Sequence, residues 1–130
     1  MRYMFFVIAP PSDGPPPQAL MDAMTQLIEK RTADGSLIDT GGLFPIQMGA
    51  RISLKRGEIN VIDGPFAESK EVVGGYAIFE FATRAEALAS AVEFMEVHRD
   101  HAPGWEGVCE MRPMVGAEDP NCGMGDSHAA

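Results

Sequence analysis

Every position from Tyr3 to Ala9 is apolar, with Tyr3, Phe5 and Val7 on one alternating face and Met4, Phe6 and Ile8 on the other. That pattern predicts a strand covered on both sides, central in its sheet. Prolines and Asp13-Gly14 break it, and from Gln18 the residues Leu20, Met24, Leu27 and Ile28 fall on one helical stripe that ends before Asp34-Gly35. Leu37–Leu43 predicts a second strand, in which Gly41-Gly42 marks either a bulge or a close approach to the backbone.

Arg51–Lys55 and Glu58–Asp63 alternate about Arg56-Gly57 and predict a half-buried hairpin with Lys55–Glu58 as its turn. Gly75–Ala82 predicts a long inner strand, with Tyr76, Ile78 and Glu80 opposite to Ala77, Phe79 and Phe81. Thr83-Arg84-Ala85-Glu86 has the form of a capping box. The helix it opens shows Ala85, Leu88, Val92 and Met95 as its apolar stripe and ends by Pro103-Gly104. Glu106–Val115 predicts the last strand.

The order β, α, β, hairpin, β, α, β predicts an α+β fold, a ferredoxin-like βαββαβ sandwich with an extra hairpin. One domain over residues 1–115 and a flexible C-terminal tail over 116–130 are expected for a chain of 130 residues. Two helices cover one sheet face, yet the inner strands are apolar on both, so a homodimer whose sheets meet is predicted.

Composition narrows the function classes. A net charge of −9 without a cluster of Lys and Arg argues against nucleic acid. No apolar run approaches the roughly 20 residues that span a bilayer, and no cleavage site follows the first strand, so a cytoplasmic protein without membrane contact is expected. Cys109 and Cys122 make neither a disulfide framework nor a zinc motif. Nucleotide, acyl-transfer and redox motifs are missing from the sequence, so no cofactor is expected. Met21, Met24, Met48 and Met95 read as core residues.

The stretch Asp63-Gly64-Pro65-Phe66-Ala67-Glu68-Ser69-Lys70-Glu71 concentrates chemistry at a turn. Asp63 is either a general base at a cleft or the acceptor of an Asx turn. Lys70 either meets an anionic substrate or shares a solvated charge group with Glu68 and Glu71. Gly74-Gly75 either starts a crowded strand or admits a small molecule, with Tyr76 closing the pocket wall. Glu110 and Arg112 share a strand face, as an ion pair fixing dimer register or as a carboxylate-recognising fork, a role for which Arg51 is a weaker candidate. His98 and His101 either hold a metal with Glu96 or Asp100 or cap the helix end; capping is the reading adopted, with no metal.

Read in order, residues 63–71, Gly74-Gly75-Tyr76 and Glu110-Met111-Arg112-Pro113 resemble the DGPF domain family, related to YCII, over residues 2–115. The resemblance implies a dimeric α/β-barrel assembly of small bacterial proteins without an established activity, some of them linked to extracytoplasmic-function sigma factors. YCII-type relatives have a proposed site that pairs an Asp with a His on an early strand. Here only the Asp carries over, to Asp63, because the histidines are His98, His101 and His128. Two functions follow. One is a small-molecule binder or enzyme with acid/base chemistry on a small carbonyl or aromatic compound, in a cleft near residues 63–71. The other is a dimeric interaction or regulatory module with a protein partner.

Overall fold

The computed structural model describes residues 1–11, 14–63 and 71–116. Its elements are β1 (Arg2–Ala9), α1 (Gln18–Ala33), β2 (Leu37–Gly42), a single 3-10 turn (Ile46–Met48), β3 (Ala50–Lys55), β4 (Glu58–Asp63), β5 (Val72–Glu80), α2 (Arg84–His101) and β6 (Val108–Pro113). Four strands form an antiparallel sheet in the order β2-β5-β1-β6, and β3 with β4 forms a separate two-stranded sheet. This is the ferredoxin-like α+β arrangement, with the hairpin inserted between β2 and β5.

β1 lies between β5 and β6, as its two apolar faces require. Tyr3 and Phe5 point into the core with Phe79, Phe81 and Ala87, while Leu37, Ala77, Ala91, Cys109 and Met111 pack around them. The Phe5 and Phe79 ring centroids are 4.8 Å apart, and those of Phe79 and Phe81 are 5.4 Å apart and stacked. Met4, Phe6 and Ile8 alternate to the far side, where cross-strand register sets Phe6 between Tyr76 and Glu110 and Met4 between Ile78 and Arg112.

Several local expectations change. β5 begins at Val72, so Gly74 and Gly75 lie inside the strand, and a bulge opposite Val7 and Ile8 absorbs the extra residue. A second bulge falls at Ile38, ahead of the Gly41-Gly42 pair. The last strand is trimmed to Val108–Pro113. The buried residues of α2 are Ala87, Ser90 and His98, whereas Leu88 and Val92 of the expected stripe are exposed. The aromatic cluster already fills the space below α2, which leaves room there only for small side chains. Met21 and Met48 are likewise exposed and not part of the core.

The hairpin is the largest departure. Its turn is as expected, with φ of 52° at Arg56 and 79° at Gly57, the left-handed pair that a tight two-residue hairpin needs. Its faces are not half buried: every residue but Ser53 is exposed, because the hairpin pairs with itself and leaves the main sheet. Residues 117–130, which hold nearly all of the expected tail, lie outside the described residues.

The Thr83 hydroxyl caps α2 by accepting from the Glu86 amide at 3.2 Å. The return half of the capping box differs, since the Glu86 carboxylate lies 3.3 Å from the Thr83 hydroxyl and accepts from it. The helices are joined by Glu93, which accepts from Arg31 at 2.6 Å and Lys30 at 2.8 Å. The Lys30 bond, followed by that of Arg31, holds the Glu93 carboxyl below its usual range. A depressed carboxylate contributes stability above its unfolded value and loses it as pH falls through its folded value. Glu93→Gln is therefore expected to cost about 1–2 kcal/mol at neutral pH. In urea titrations that difference should shrink as the pH falls below the carboxylate range, and a difference unchanged by pH would refute the assignment.

Candidate functional site

Between α1 and the sheet lies a slot of about 420 Å³, within the range of small-ligand sites. Its floor comes from Phe5, Val7, Ala77 and Phe79, its roof from Met24, Leu27 and Ile28, and Phe94 of α2 and Leu37 of β2 add to its walls. Thr40, Gly41, Gly42, Gly75 and Tyr76 belong to the same lining. Native interiors leave few voids larger than a water molecule, so a slot of this size is a feature of the fold and not loose packing.

Glycine suits the close approach of β2 and β5. A Cβ on Gly75 would stand 3.1 Å from the Gly41 carbonyl oxygen, and one on Gly41 would stand 3.0 Å from the Tyr76 ring. The sequence reading of a close approach is thus met by the protein's own Tyr76 at Gly41, while Gly75 both admits the neighbouring backbone and lines the slot.

The polar groups at the slot are committed within the chain, the Nε of Arg31 excepted. Arg31, on the slot wall, gives its terminal nitrogens to Glu93 and Asp34 and lies 5.9 Å from the Phe81 ring centroid. Its Nε is buried without a hydrogen-bond partner. Thr40 donates its hydroxyl to the Tyr76 carbonyl at 2.9 Å. The Tyr76 hydroxyl donates to the Asp39 carboxylate at 3.0 Å, and the other Asp39 oxygen accepts from the Thr40 amide at 2.9 Å. Asp39 was not among the sequence candidates. Its signal is a lone acid within Leu37–Gly42 two residues before the glycine pair, but its partner stands 37 positions away.

The other candidates are dispersed. Asp63 ends β4 opposite Ala50, on an exposed strand, and is not part of the slot wall. Glu110 and Arg112 do share a face, on β6 at the sheet edge, and neither is ion-paired among the described residues. Glu68 and Lys70 lie outside the described residues. Glu71 lines a second groove of about 520 Å³ with Pro10, Arg99, Trp105 and Glu106.

The His98 ring sits 4.5 Å from both Phe94 and Trp105 and donates from Nδ1 to the Phe94 carbonyl. His101 donates likewise to Val97. Both imidazoles thus satisfy carbonyls near the helix end. Among the described residues no three His, Cys, Asp or Glu side chains gather as a metal site. Cys109 is free, and burial pushes its thiol up to about 11. No described helix is long and apolar enough to cross a membrane.

With this geometry in place, comparison with known proteins is informative. The family model for the YCII-related domain matches residues 1–101, ending before Glu110-Met111-Arg112-Pro113. An uncharacterised protein of Rhizobium meliloti (strain 1021) is 29% identical over 98 residues, which are 75% of each chain.

The hydrogen bond to Asp39, and then its charge, raise the Tyr76 phenol above its usual range. Stability from that proton is fully present below the unfolded phenol value and is lost as pH rises through the folded one. In a Tyr3→Phe background, the ultraviolet titration of Tyr76 should therefore shift to lower pH on Asp39→Asn. An unmoved midpoint would show that the pair does not form in solution.

Proposed function

The chain belongs to the YCII-related domain family, and we propose that it binds a neutral, largely apolar small molecule in the slot between α1 and the sheet. The observation that supports this reading is the lining itself. Three phenylalanines and a set of aliphatic side chains surround about 420 Å³, and the one charged side chain among them, Arg31, is already matched by two carboxylates. A ligand carboxylate there would compete with Glu93 and Asp34 and would have to shed its water without a free cation in return. An aromatic or short aliphatic compound with few polar atoms has no such cost and gains by burying its surface, at about 25 cal/mol per Å².

Acid/base chemistry has weaker support. No Asp, Glu or His is part of the slot wall among the described residues, and a general base must come within hydrogen-bond reach of the proton it takes. The Tyr76 phenol gives its one hydrogen to Asp39 and so offers none to a ligand. Binding is therefore the reading the geometry supports, with Gly75 and Tyr76 as the sequence candidates that belong to it. A regulatory role rests on the family resemblance and on the acidic net charge, and gains nothing from the slot.

Leu27→Trp fills the slot and tests the reading. The neutral fluorophore N-phenyl-1-naphthylamine should bind the parent protein with enhanced emission and raise its thermal midpoint, as a ligand of the native state must. Leu27→Trp should weaken binding about tenfold or more, the scale on which pockets sense a few methylene groups, while thermal unfolding remains cooperative. Asp63→Asn should leave binding unchanged. Equal binding by parent and Leu27→Trp would sink the proposal, and loss of binding in Asp63→Asn alone would move the site to the 63–71 segment.

A further inference from the structure

Arg31 is the last slot residue on the inward stripe of α1, one helical turn beyond Leu27 and Ile28. Its side chain is only 17% exposed, so the stem belongs to the apolar wall while the charged end must find partners within the protein. The terminal nitrogens have them. Nη2 donates to Glu93 Oε1 at 2.6 Å and Nη1 to Asp34 Oδ2 at 3.3 Å. A carboxylate facing a guanidinium commonly takes two of its hydrogens side by side, but the second Glu93 oxygen accepts from Lys30 Nζ at 2.8 Å instead. The edge formed by Nη2 and Nε is thus half used, and Nε is left a buried donor without an acceptor.

A buried donor in this state is costly, and nothing in the apolar wall answers it. The Phe81 ring, 5.9 Å from the guanidinium carbon, lies at the outer limit of a cation–π contact and does not stand in for an oxygen. The slot's hydroxyls have committed their hydrogens, Thr40 to the Tyr76 carbonyl and Tyr76 to Asp39. We propose that the ligand of the slot carries one uncharged carbonyl oxygen and that Arg31 Nε donates to it. This deepens the reading of the slot as a ligand site and rests on it.

Charge selects a carbonyl over an anion. Lys30 and Arg31 are balanced by Glu93 and Asp34, so a ligand carboxylate would lose its hydration for no net attraction. A carbonyl oxygen asks only for the hydrogen that Nε has free. Because Nε is closed to solvent, the protein gives up no bond to water when the carbonyl arrives, and the hydrogen bond, made by a charged donor, is of the stronger kind. Arg31 thereby sets which apolar molecules the slot prefers and the end at which their oxygen lies.

Displacement of N-phenyl-1-naphthylamine from the parent protein tests this with probes of one shape: 2-acetylnaphthalene, 2-isopropenylnaphthalene, which has a methylene in place of the oxygen, and 2-naphthoate. The ketone should bind about tenfold or more tightly than the alkene, the scale of a hydrogen bond to a charged group, and the carboxylate less tightly than the ketone. Arg31→Lys keeps a cation for Glu93 and an aliphatic stem for the wall but has no nitrogen at the Nε position. The alkene should bind this variant as it binds the parent, and the ketone should lose its advantage. In the parent itself, the nitrogen–proton correlation of Arg31 Nε should move downfield with the ketone and stay in place with the alkene. If neither the fluorophore nor any probe binds, the slot is not a ligand site and the carbonyl assignment falls with it. Equal binding of ketone and alkene, an advantage that persists in Arg31→Lys, an unmoved Nε signal or tighter binding of the carboxylate would leave the slot a ligand site and overturn the carbonyl assignment alone.

Discussion

The cluster of Phe5, Phe79 and Phe81 beneath Ala87 sets the position of everything else in the protein. Two rings come from β5 and the residue that follows it and one from β1, and Ala87, fully buried above them, lets α2 approach closely. Ser90 and Ala91 extend the same small-residue surface. A longer side chain at position 87 would overpack this contact and push α2 outward, at a typical cost of about 1–3 kcal/mol. α1 is held differently, by Leu20 and by the Glu93 bridge to Lys30 and Arg31. Its middle reaches the sheet through Met24, Leu27 and Ile28, long side chains that leave the slot between them. The cavity is thus a consequence of docking one helix through small residues and the other through large ones.

Much of this frame was legible because it depends on local rules. The two-sided apolar run of β1 announces a central strand, Thr83 a helix start, and Arg56-Gly57 a tight hairpin. Periodicity failed where the answer depends on volume across elements. Leu88 and Val92 look like the inward side of α2 if size is taken as a sign of burial, but the phenylalanines already fill that space and select Ala87 and Ala91. Alternation in the hairpin correctly says that one face is apolar, and cannot say that no part of the main sheet lies against it. Asp39 escaped notice because its meaning comes from Tyr76, which only the β2–β5 register brings alongside.

The motif that most strongly suggested a site therefore has a different standing from the slot. Asp63 belongs to the exposed hairpin, and Glu71 stands just before β5 at the second groove, so residues 63–71 join the projecting sheet to the main one. The slot was foreshadowed instead by Gly75 and Tyr76, which pair with β1 and β2.

Slot and hairpin also share a structural element. Eight residues, 64–71, separate the end of β4 from Val72, and within β5 the next few positions include Gly75 and Tyr76 of the slot lining. β5 is hydrogen-bonded on both sides, to β1 and β2, so it has little freedom to follow a displacement of the hairpin. The bulge opposite Val7 and Ile8 lies between the junction and the slot, where an extra residue can absorb a change of direction. The fold thereby sets the cavity among α1, α2 and the main sheet, on the far side of that bulge from the hairpin.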